Sequence, residues 1–158
     1  QGVPMLGICL GMQMAVVEFA RHVLGYGDAH STEADPDTTH PIIDLMPDQV
    51  GNRLGGTLRL GGYPCLIQPG TLAHRLYGKR EILERHRHRY EFNNEFKAEY
   101  EAAGMKCTGI NPESGLVEIV EIPALKWFVG TQFHPEYSST VLNPHPLFVS
   151  FIKAAISK

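Results

Sequence analysis

The chain has 158 residues, 43% of them hydrophobic and 20% charged, and its formal net charge is −3. This length and composition predict one globular domain of ordinary polarity, and the slight acidity argues against a general nucleic-acid or membrane surface. No apolar run approaches the ~20 residues that span a bilayer, no signal peptide is recognisable, and three scattered cysteines favour a reducing cytoplasm over a disulfide framework.

The first predicted elements are a strand, a helix and a long irregular stretch. Residues 3–8 form an apolar run typical of a short buried strand. Over residues 12–24 the apolar side chains recur at helical spacing, and Gly25 is expected to end that helix. Residues 28–60 are rich in Asp, Thr, Pro and Gly without a sustained period, which is typical of a functional loop or a disordered segment.

The rest of the chain contains further strand and helix candidates. Residues 82–92 are expected to be extended, and turn signals separate the strand candidates that follow. The predicted helices are 94–103, ended by Gly104, and 146–156, and the predicted strands are 105–110, 116–122 and 127–133. Strands alternating with helices indicate an α/β layer architecture.

The chain begins at Gln1, without an initiator Met, and enters the apolar run of residues 3–8 at once. A central strand needs neighbouring strands to pair its backbone groups, and natural domains seldom begin inside one. We therefore expect residues 1–158 to be one part of a longer molecule.

Gly7-Ile8-Cys9-Leu10-Gly11 is a G-x-C-x-G sequence between the first predicted strand and helix. It is the cysteine form of a nucleophile elbow, a tight, strained turn whose flanking positions need minimal side chains. Beside a helix N-terminus, Cys9 is expected to favour its thiolate, and the N–H of Leu10 to point at a forming oxyanion. A small buried cysteine in a glycine-rich turn is the alternative interpretation.

A base and an orienting carboxylate for such a thiol are available in His134-Pro135-Glu136, which follows the strand candidate 127–133. Pro135 disfavours a helical His134, and in an extended backbone residues two apart point to the same side. We therefore expect Glu136 to hold the His134 ring against Cys9. Taken alone, the same three residues are typical of a turn with a solvated Glu.

Together, the two motifs resemble the class I, or triad, glutamine amidotransferases. Within that class the sequence is similar to the CTP synthase family from about residue 3 to the C-terminus, with each block in order. The blocks are Leu10-Gly11-Met12-Gln13, Ala29-His30-Ser31-Thr32-Glu33, residues 55–61, residues 84–91 and Gln132-Phe133-His134-Pro135-Glu136. The resemblance implies a three-layer α/β, flavodoxin-like fold with a mostly parallel central sheet, incomplete at its N-terminus.

The resemblance also implies roles for single residues. Cys9, His134 and Glu136 would form the catalytic triad, and Leu10 and Gln13 would line the glutamine pocket, with the Leu10 N–H as oxyanion donor. Glu33 would bind the α-ammonium group of glutamine, and Arg89 its α-carboxylate. No metal ligand and no cofactor are implied in this segment.

For the whole molecule, the resemblance implies release of ammonia from L-glutamine for ATP-dependent amination of UTP to CTP. ATP and Mg²⁺ would bind an absent synthetase domain, GTP would activate the enzyme, and the full-length enzyme would be a homo-tetramer. Residues 1–158 would be the C-terminal part of the amidotransferase domain, whose missing start carries a second oxyanion donor. Because the synthetase domain is absent, the segment alone is not expected to form CTP.

Several alternatives remain open. One face of the predicted strand carries Arg85, Arg87 and Arg89, and the other carries His86 and His88. The arginines could form a solvated face or a phosphate-binding patch. The histidines could be a pair of metal ligands, although the sequence shows no further ligands for them. Residues 55–61 are expected to form a lid near the glutamine site, and Cys65 and Cys107 to be structural. The rival functions are another class I cysteine hydrolase, such as a γ-glutamyl hydrolase, or a non-catalytic regulatory module.

Overall fold

The computed structural model describes residues 2–45 and 59–157. In those ranges the backbone forms nine β-strands and four α-helices. The strands are β1 (Met5–Ile8), β2 (His30–Ser31), β3 (Pro41–Leu45), β4 (Arg59–Ile67), β5 (Glu81–His88), β6 (Tyr90–Phe92), β7 (Lys106–Ile110), β8 (Val117–Glu121) and β9 (Phe128–Thr131). The helices are α1 (Leu10–Phe19), α2 (Leu72–Tyr77), α3 (Lys97–Ala103) and α4 (Pro146–Ile156). None of these helices is long and apolar enough to cross a membrane.

The strands form two sheets. Six of them build the main sheet in the order β1-β9-β8-β7-β4-β5, and the other three build a small sheet in the order β2-β3-β6. Two hydrophobic cores cover the two faces of the main sheet, because successive residues of a strand face opposite sides. Val120 of β8 packs in the core with Met12 of α1 and Tyr100 of α3, whereas Ile119 packs in the core with α2 and with Leu147 of α4. Helices on both faces give three layers, as predicted.

The main sheet is mixed, and the prediction of a mostly parallel sheet is wrong for the part of the chain that the structure describes. Only β1 and β9 pair in parallel there, and the other four pairs are antiparallel. The cause is the length of the connections. Residues 111–116 and 122–127 are too few for a crossover helix, so β7, β8 and β9 follow one another as antiparallel neighbours.

The elements predicted after residue 82 are all present, with bounds that differ by a few residues at most. The first predicted helix is also present, but it begins at Leu10 and consists of α1 followed by one π-helical segment, Ala20–Leu24. It ends where predicted, because Gly25 adopts the left-handed conformation with φ 84°.

Residues 28–45 contain more regular structure than the sequence predicted. β2 and β3 are too short to show a period, yet Ile42 and Ile43 of β3 are fully buried. A side-chain hydrogen bond of 2.6 Å from Thr32, the residue after β2, to Asp44 of β3 supports this pairing. Residues 55–58 of the predicted lid lie outside the described residues, and residues 59–61 belong to β4. Neither β4 nor α2 was predicted.

Candidate active site

Cys9 is the single-residue turn between β1 and α1. Its backbone has φ 51° and ψ −106°, and it is the only non-glycine residue with positive φ in the described ranges. A β-carbon on Gly7 would lie 2.8 Å from the backbone carbon of Gly11, so only glycine fits there. At Gly11 such a β-carbon would meet no described atom within 4 Å, so the predicted need for space applies to Gly7 and not to Gly11. The turn has the strained geometry of a nucleophile elbow.

Burial raises the pKa of the Cys9 thiol above its usual value. The backbone N–H of Leu10 and the amide of Gln132 lower this pKa, whereas the negative charges of Glu91 and Glu136 raise it further. Desolvation is the largest of these effects, so it opposes the thiolate that the helix N-terminus was predicted to favour. The thiol needs a base to lose its proton.

Cys9 and the segment after β9 lie at the same edge of the main sheet. β1 and β9 are parallel neighbours with Ile8 opposite Thr131, so the residues that follow both strands emerge together. The N–H of Cys9 donates to the carbonyl of Thr131 at 2.7 Å, and Nε2 of Gln132 donates to Cys9 Sγ at 3.6 Å. The topology thus places the thiol beside the residues that lead to His134.

His134 and Glu136 form the predicted contact, with Nδ1 and Oε1 2.6 Å apart. His134 is non-helical as predicted, with φ −109° and ψ 89°, but the residues after it are not extended. Residues Pro135–Ser138 form a short 3₁₀ helix, which turns Glu136 back towards the ring. Because a carboxylate accepts hydrogen bonds, Nδ1 carries the proton of the neutral ring and Nε2 is bare. Nε2 is buried and has no hydrogen-bond partner in the described structure, Cys9 included.

β5, the strand at the other edge of the main sheet, anchors this turn. The N–H of His134 donates to the carbonyl of Arg85 at 2.8 Å, and the hydroxyl of Ser138 donates to Glu84 at 3.2 Å. Glu84 is itself buried and accepts a hydrogen bond from Tyr77 at 2.9 Å. The turn that carries His134 is therefore fixed at both of its ends.

Gln13, predicted to line the glutamine pocket, is buried one turn after the elbow. Its Nε2 donates to the carbonyl of Tyr90 at 2.9 Å and to Oε1 of Gln132 at 3.2 Å. Gln13 thus joins α1 to β6 and orients the amide that contacts Cys9. No role was assigned to Gln132 from the sequence, although its place two residues before His134 was an available signal. Leu10 is 59% exposed, so its backbone, and not its side chain, faces the thiol.

Glu33 and Arg89 lie at the same end of the small sheet, next to its two outer strands. β2 and β3 are parallel, so the end of β2 at Ser31 and the end of β3 at Leu45 face the same way. β6 runs in the opposite direction, and its first residue, Tyr90, pairs with Leu45. The residues after β2 and before β6 therefore lie on the same side. Glu33 is exposed, and Arg89 is half-buried with an Nε that has no hydrogen-bond partner among the described residues. The Glu33 carboxylate and the Arg89 guanidinium at one end of this sheet suit a zwitterionic ligand.

β5 alternates between exposed arginines and buried histidines, as predicted. Arg85 and Arg87 are exposed, His86 and His88 are buried, and Arg89 leaves the pattern at a bend between β5 and β6. Nδ1 of His86 lies 2.7 Å from Nε2 of His88, so the two rings bond each other. The described residues contain no group of three or more His, Cys, Asp or Glu side chains that could hold a metal ion.

Buried charges complete this cluster. Arg59 contacts Glu91 at 3.1 Å and Glu118 at 2.6 Å, with exposed side-chain fractions of 5%, 3% and 0%. Burial lowers the pKa of His86 to about 2 and that of His88 to about 3, so both rings are neutral. Burial also raises the pKa of Glu118 to about 7, against the opposing effect of Arg59. Arg59 lies in the predicted lid, residues 55–61, and no role was predicted for Glu118; β4 and β8 bring the two side chains together.

Comparison with known proteins places these features in context. Residues 1–154 match the family described as glutamine amidotransferase class-I. The chain is 68% identical over 155 residues to a CTP synthase of Bacteroides thetaiotaomicron, a match that covers 98% of this chain. It is 62% identical over 157 residues to a CTP synthase of Bacteroides fragilis, a match that covers 99% of this chain. It spans only 29% and 30% of the length of those curated relatives. A solved structure of the Trypanosoma brucei CTPS glutaminase domain with bound acivicin is similar, with a TM-score of 0.92 and 36% identity, over 98% of this chain and 60% of that one.

Proposed function

This chain belongs to the class-I glutamine amidotransferases, and we propose that its site hydrolyses L-glutamine with Cys9 as the nucleophile. The observation that carries the proposal is the edge shared by Cys9 and His134. There a strained elbow presents the thiol, while the imidazole, bonded through Nδ1 to Glu136, keeps a bare and buried Nε2. A nucleophile, a base and an orienting carboxylate are the components of covalent amide hydrolysis.

In the first half of the reaction, Nε2 of His134 takes the proton of Cys9, and the sulfur attacks the side-chain carbonyl carbon of glutamine. The carbonyl π electrons move to its oxygen, and the N–H of Leu10 donates to the resulting oxyanion. When the tetrahedral intermediate collapses, the C–N bond breaks and His134 returns the proton to the leaving nitrogen. Ammonia and a γ-glutamyl thioester on Cys9 are the products of this half.

In the second half, His134 deprotonates a water molecule, which attacks the thioester carbon. The C–S bond then breaks, the sulfur regains its proton from His134, and glutamate leaves. Glu136 stabilises the imidazolium in both halves without itself taking the proton. Because burial raises the pKa of the free thiol, the base is needed from the first step.

Substrate recognition would come from Arg89 and Glu33 at the end of the small sheet and from Gln13 beside the elbow. Arg89 has a buried Nε without a partner in the described structure, and a guanidinium fork suits the α-carboxylate of glutamine. Glu33 would accept hydrogen bonds from the α-ammonium group. Gln13 would act through Gln132, since its own amide is already bonded within the protein.

For the full-length protein we propose the reaction that the names of the curated relatives suggest, formation of CTP. Ammonia released at Cys9 would aminate UTP in an ATP-dependent step, in a synthetase part that residues 1–158 do not include. ATP and Mg²⁺ would bind in that part, GTP would activate glutamine hydrolysis, and the protein would work as a homo-tetramer in the cytoplasm. The support for these statements is the family resemblance and not any contact within residues 1–158.

The test uses 6-diazo-5-oxo-L-norleucine, a glutamine analogue that alkylates an attacking nucleophile, on the full-length protein. We expect one adduct, mapped by peptide fragmentation to Cys9 and slowed by L-glutamine, because Cys65 and Cys107 are buried. An adduct on either buried cysteine, or none in a folded protein, would contradict the proposal. Turnover of γ-glutamyl peptides in preference to glutamine would favour a γ-glutamyl hydrolase, and a lack of any adduct would favour a regulatory module.

A further inference from the structure

A continuous set of buried and part-buried hydrogen bonds runs from the thiol to the end of β5. Gln132 donates to Cys9 Sγ and accepts from Gln13, and Gln13 donates to the carbonyl of Tyr90 at 2.9 Å. The same carbonyl lies 3.2 Å from Nδ1 of His88. The carbonyl of Tyr90 is therefore held from two sides, by the elbow helix and by the last residue of β5.

The hydrogen-bond partners fix the tautomers of the two buried histidines. A carbonyl oxygen accepts hydrogen bonds, so the proton of His88 is on Nδ1 and its Nε2 is bare. That bare Nε2 lies 2.7 Å from Nδ1 of His86, which must then carry the proton of His86. The opposite nitrogen of His86 faces Glu118 at 3.5 Å. His86 thus holds His88 in the tautomer that donates to the carbonyl of Tyr90.

The bond from His88 to Tyr90 spans Arg89. β5 ends at His88 in the main sheet and β6 begins at Tyr90 in the small sheet, so Arg89 is the single residue between these two strands. The bend at this residue is closed by the His88 side chain, which reaches the carbonyl two residues ahead. The backbone on both sides of Arg89 is therefore held by a bond that Arg89 itself does not make.

We propose that His88, held in one tautomer by His86, is a positioning residue that aims Arg89 at the α-carboxylate of glutamine. The inference rests on the proposed glutaminase function and deepens it by assigning the buried histidine pair to substrate recognition. The Nε of Arg89, which is buried and has no hydrogen-bond partner among residues 2–45 and 59–157, is the second observation that points to an anionic ligand at this place. The rival interpretation is that the histidines only fill the core.

Two substitutions that both replace the His88 ring by an amide separate these interpretations. The amide nitrogen of Asn is as many bonds from Cα as Nδ1 of His, so His88→Asn keeps a donor for the carbonyl of Tyr90. The amide nitrogen of Gln matches Nε2, so His88→Gln keeps an amide but moves the donor away. Both variants lose the aromatic ring, so a core-filling role would make them similarly defective.

The measurement is glutamine hydrolysis by the full-length protein, with kcat and KM determined separately. We expect His88→Gln to raise the KM for L-glutamine about tenfold over that of His88→Asn, with similar kcat, because one bond that orients the carboxylate ligand is lost. In the background of Arg89→Ala the difference between the two variants should vanish, since both act through Arg89. A difference that persists without Arg89, or equal KM values with Arg89 present, would overturn the inference.

A second pair keeps the test available if a His88 variant does not fold. His86→Asn retains a donor at the Nδ1 position, whereas His86→Leu removes it and frees His88 to change tautomer. We expect a raised KM only for His86→Leu, and equal values for the pair would overturn the inference. A wild-type protein without Cys9-dependent glutamine hydrolysis would instead contradict the proposed function, so the two failures are distinguishable.

Discussion

Nε2 of Gln132 donates to Sγ of Cys9 across 3.6 Å, while Oε1 of the same amide accepts from Gln13 at 3.2 Å. Because Gln13 occupies the oxygen, the amide of Gln132 cannot rotate by half a turn without losing a buried bond. Its nitrogen therefore stays on the sulfur, where it stabilises the negative charge that develops when the thiol is deprotonated.

This relationship predicts the effect of Gln132→Leu. Without the amide donor the thiolate of Cys9 is less stable, so the pKa of Cys9 should rise and glutamine hydrolysis should slow about tenfold. The pH dependence of Cys9 alkylation by iodoacetamide measures the first effect, and a glutaminase assay the second. The exposed Gln68 offers a matched control, since Gln68→Leu makes the same chemical change away from the site. An unshifted alkylation profile for Gln132→Leu would contradict the argument.

Cys9→Ala tests the nucleophile in the full-length protein. We expect loss of glutamine-dependent CTP formation, with synthesis from added ammonia retained, because only the release of ammonia requires the thiol. Cys107→Ala is the control, since burial raises the pKa of Cys107 to about 12 and leaves its thiol unreactive. If Cys9→Ala abolished both activities, Cys9 would be a structural residue and not a catalytic one.

The two glycines of the elbow should differ in their tolerance of a methyl group. Gly7→Ala places a β-carbon 2.8 Å from backbone atoms of Gly11, which cannot move without displacing α1, so we expect a loss of ~1–3 kcal/mol or more. Gly11→Ala meets no described atom within 4 Å and lies inside a helix, so it should be neutral or stabilising by up to ~1 kcal/mol. Urea unfolding of the two variants, monitored by circular dichroism, measures both. Equal destabilisation would contradict the geometry.

The buried cluster around Arg59 predicts how stability depends on pH. Folded Glu118 keeps its proton up to a pKa of about 7, whereas an ordinary Glu loses it near 4.5, so its contribution to stability falls as the pH rises between these values. His86 and His88 act in the opposite direction. Their pKa values of about 2 and about 3 lie below the ordinary 6.5, so stability rises with pH until 6.5. With two histidines against one Glu, this cluster should be most stabilising near pH 6.5.

Glu118→Gln isolates one of these contributions, because Gln cannot ionise. Between pH 4.5 and 7 the free energy of unfolding of the wild type should fall relative to that of the variant, by up to about 1.4 kcal/mol per pH unit for one proton. Urea unfolding at pH 5, 6 and 7 measures the difference. A difference independent of pH would show that Glu118 has the same pKa in the folded and unfolded chains.

The catalytic candidates could be predicted from the sequence because their signals are local. The elbow around Cys9 and the His134–Glu136 pair each lie within five consecutive residues, where chain geometry alone limits what the side chains can reach. The buried cluster could not be predicted in this way. Arg59 pairs with His88 across β4 and β5, and Glu118 comes from β8, so their contact depends on the strand order of the finished sheet.

Two predictions met opposing effects in the folded chain. A helix N-terminus beside Cys9 predicted a stabilised thiolate, but the depth of the sulfur in the folded chain was not visible, and desolvation dominates its pKa. The connections between β7, β8 and β9 are short and favour antiparallel neighbours, whereas the family resemblance implied a mostly parallel sheet. The burial of Cys9 could not be seen in the sequence, but the lengths of these connections could.

The backbone of Cys9 also has a consequence for the evolution of such domains. A side chain at φ 51° and ψ −106° costs about 1–3 kcal/mol, which glycine avoids, so a cysteine persists there only while its sulfur is useful. Once a descendant no longer needed ammonia from glutamine, the substitution that relieves the turn would be glycine, giving Gly-x-Gly-x-Gly. That pattern, in an otherwise similar chain, would identify a domain that has lost the hydrolase reaction and kept the fold.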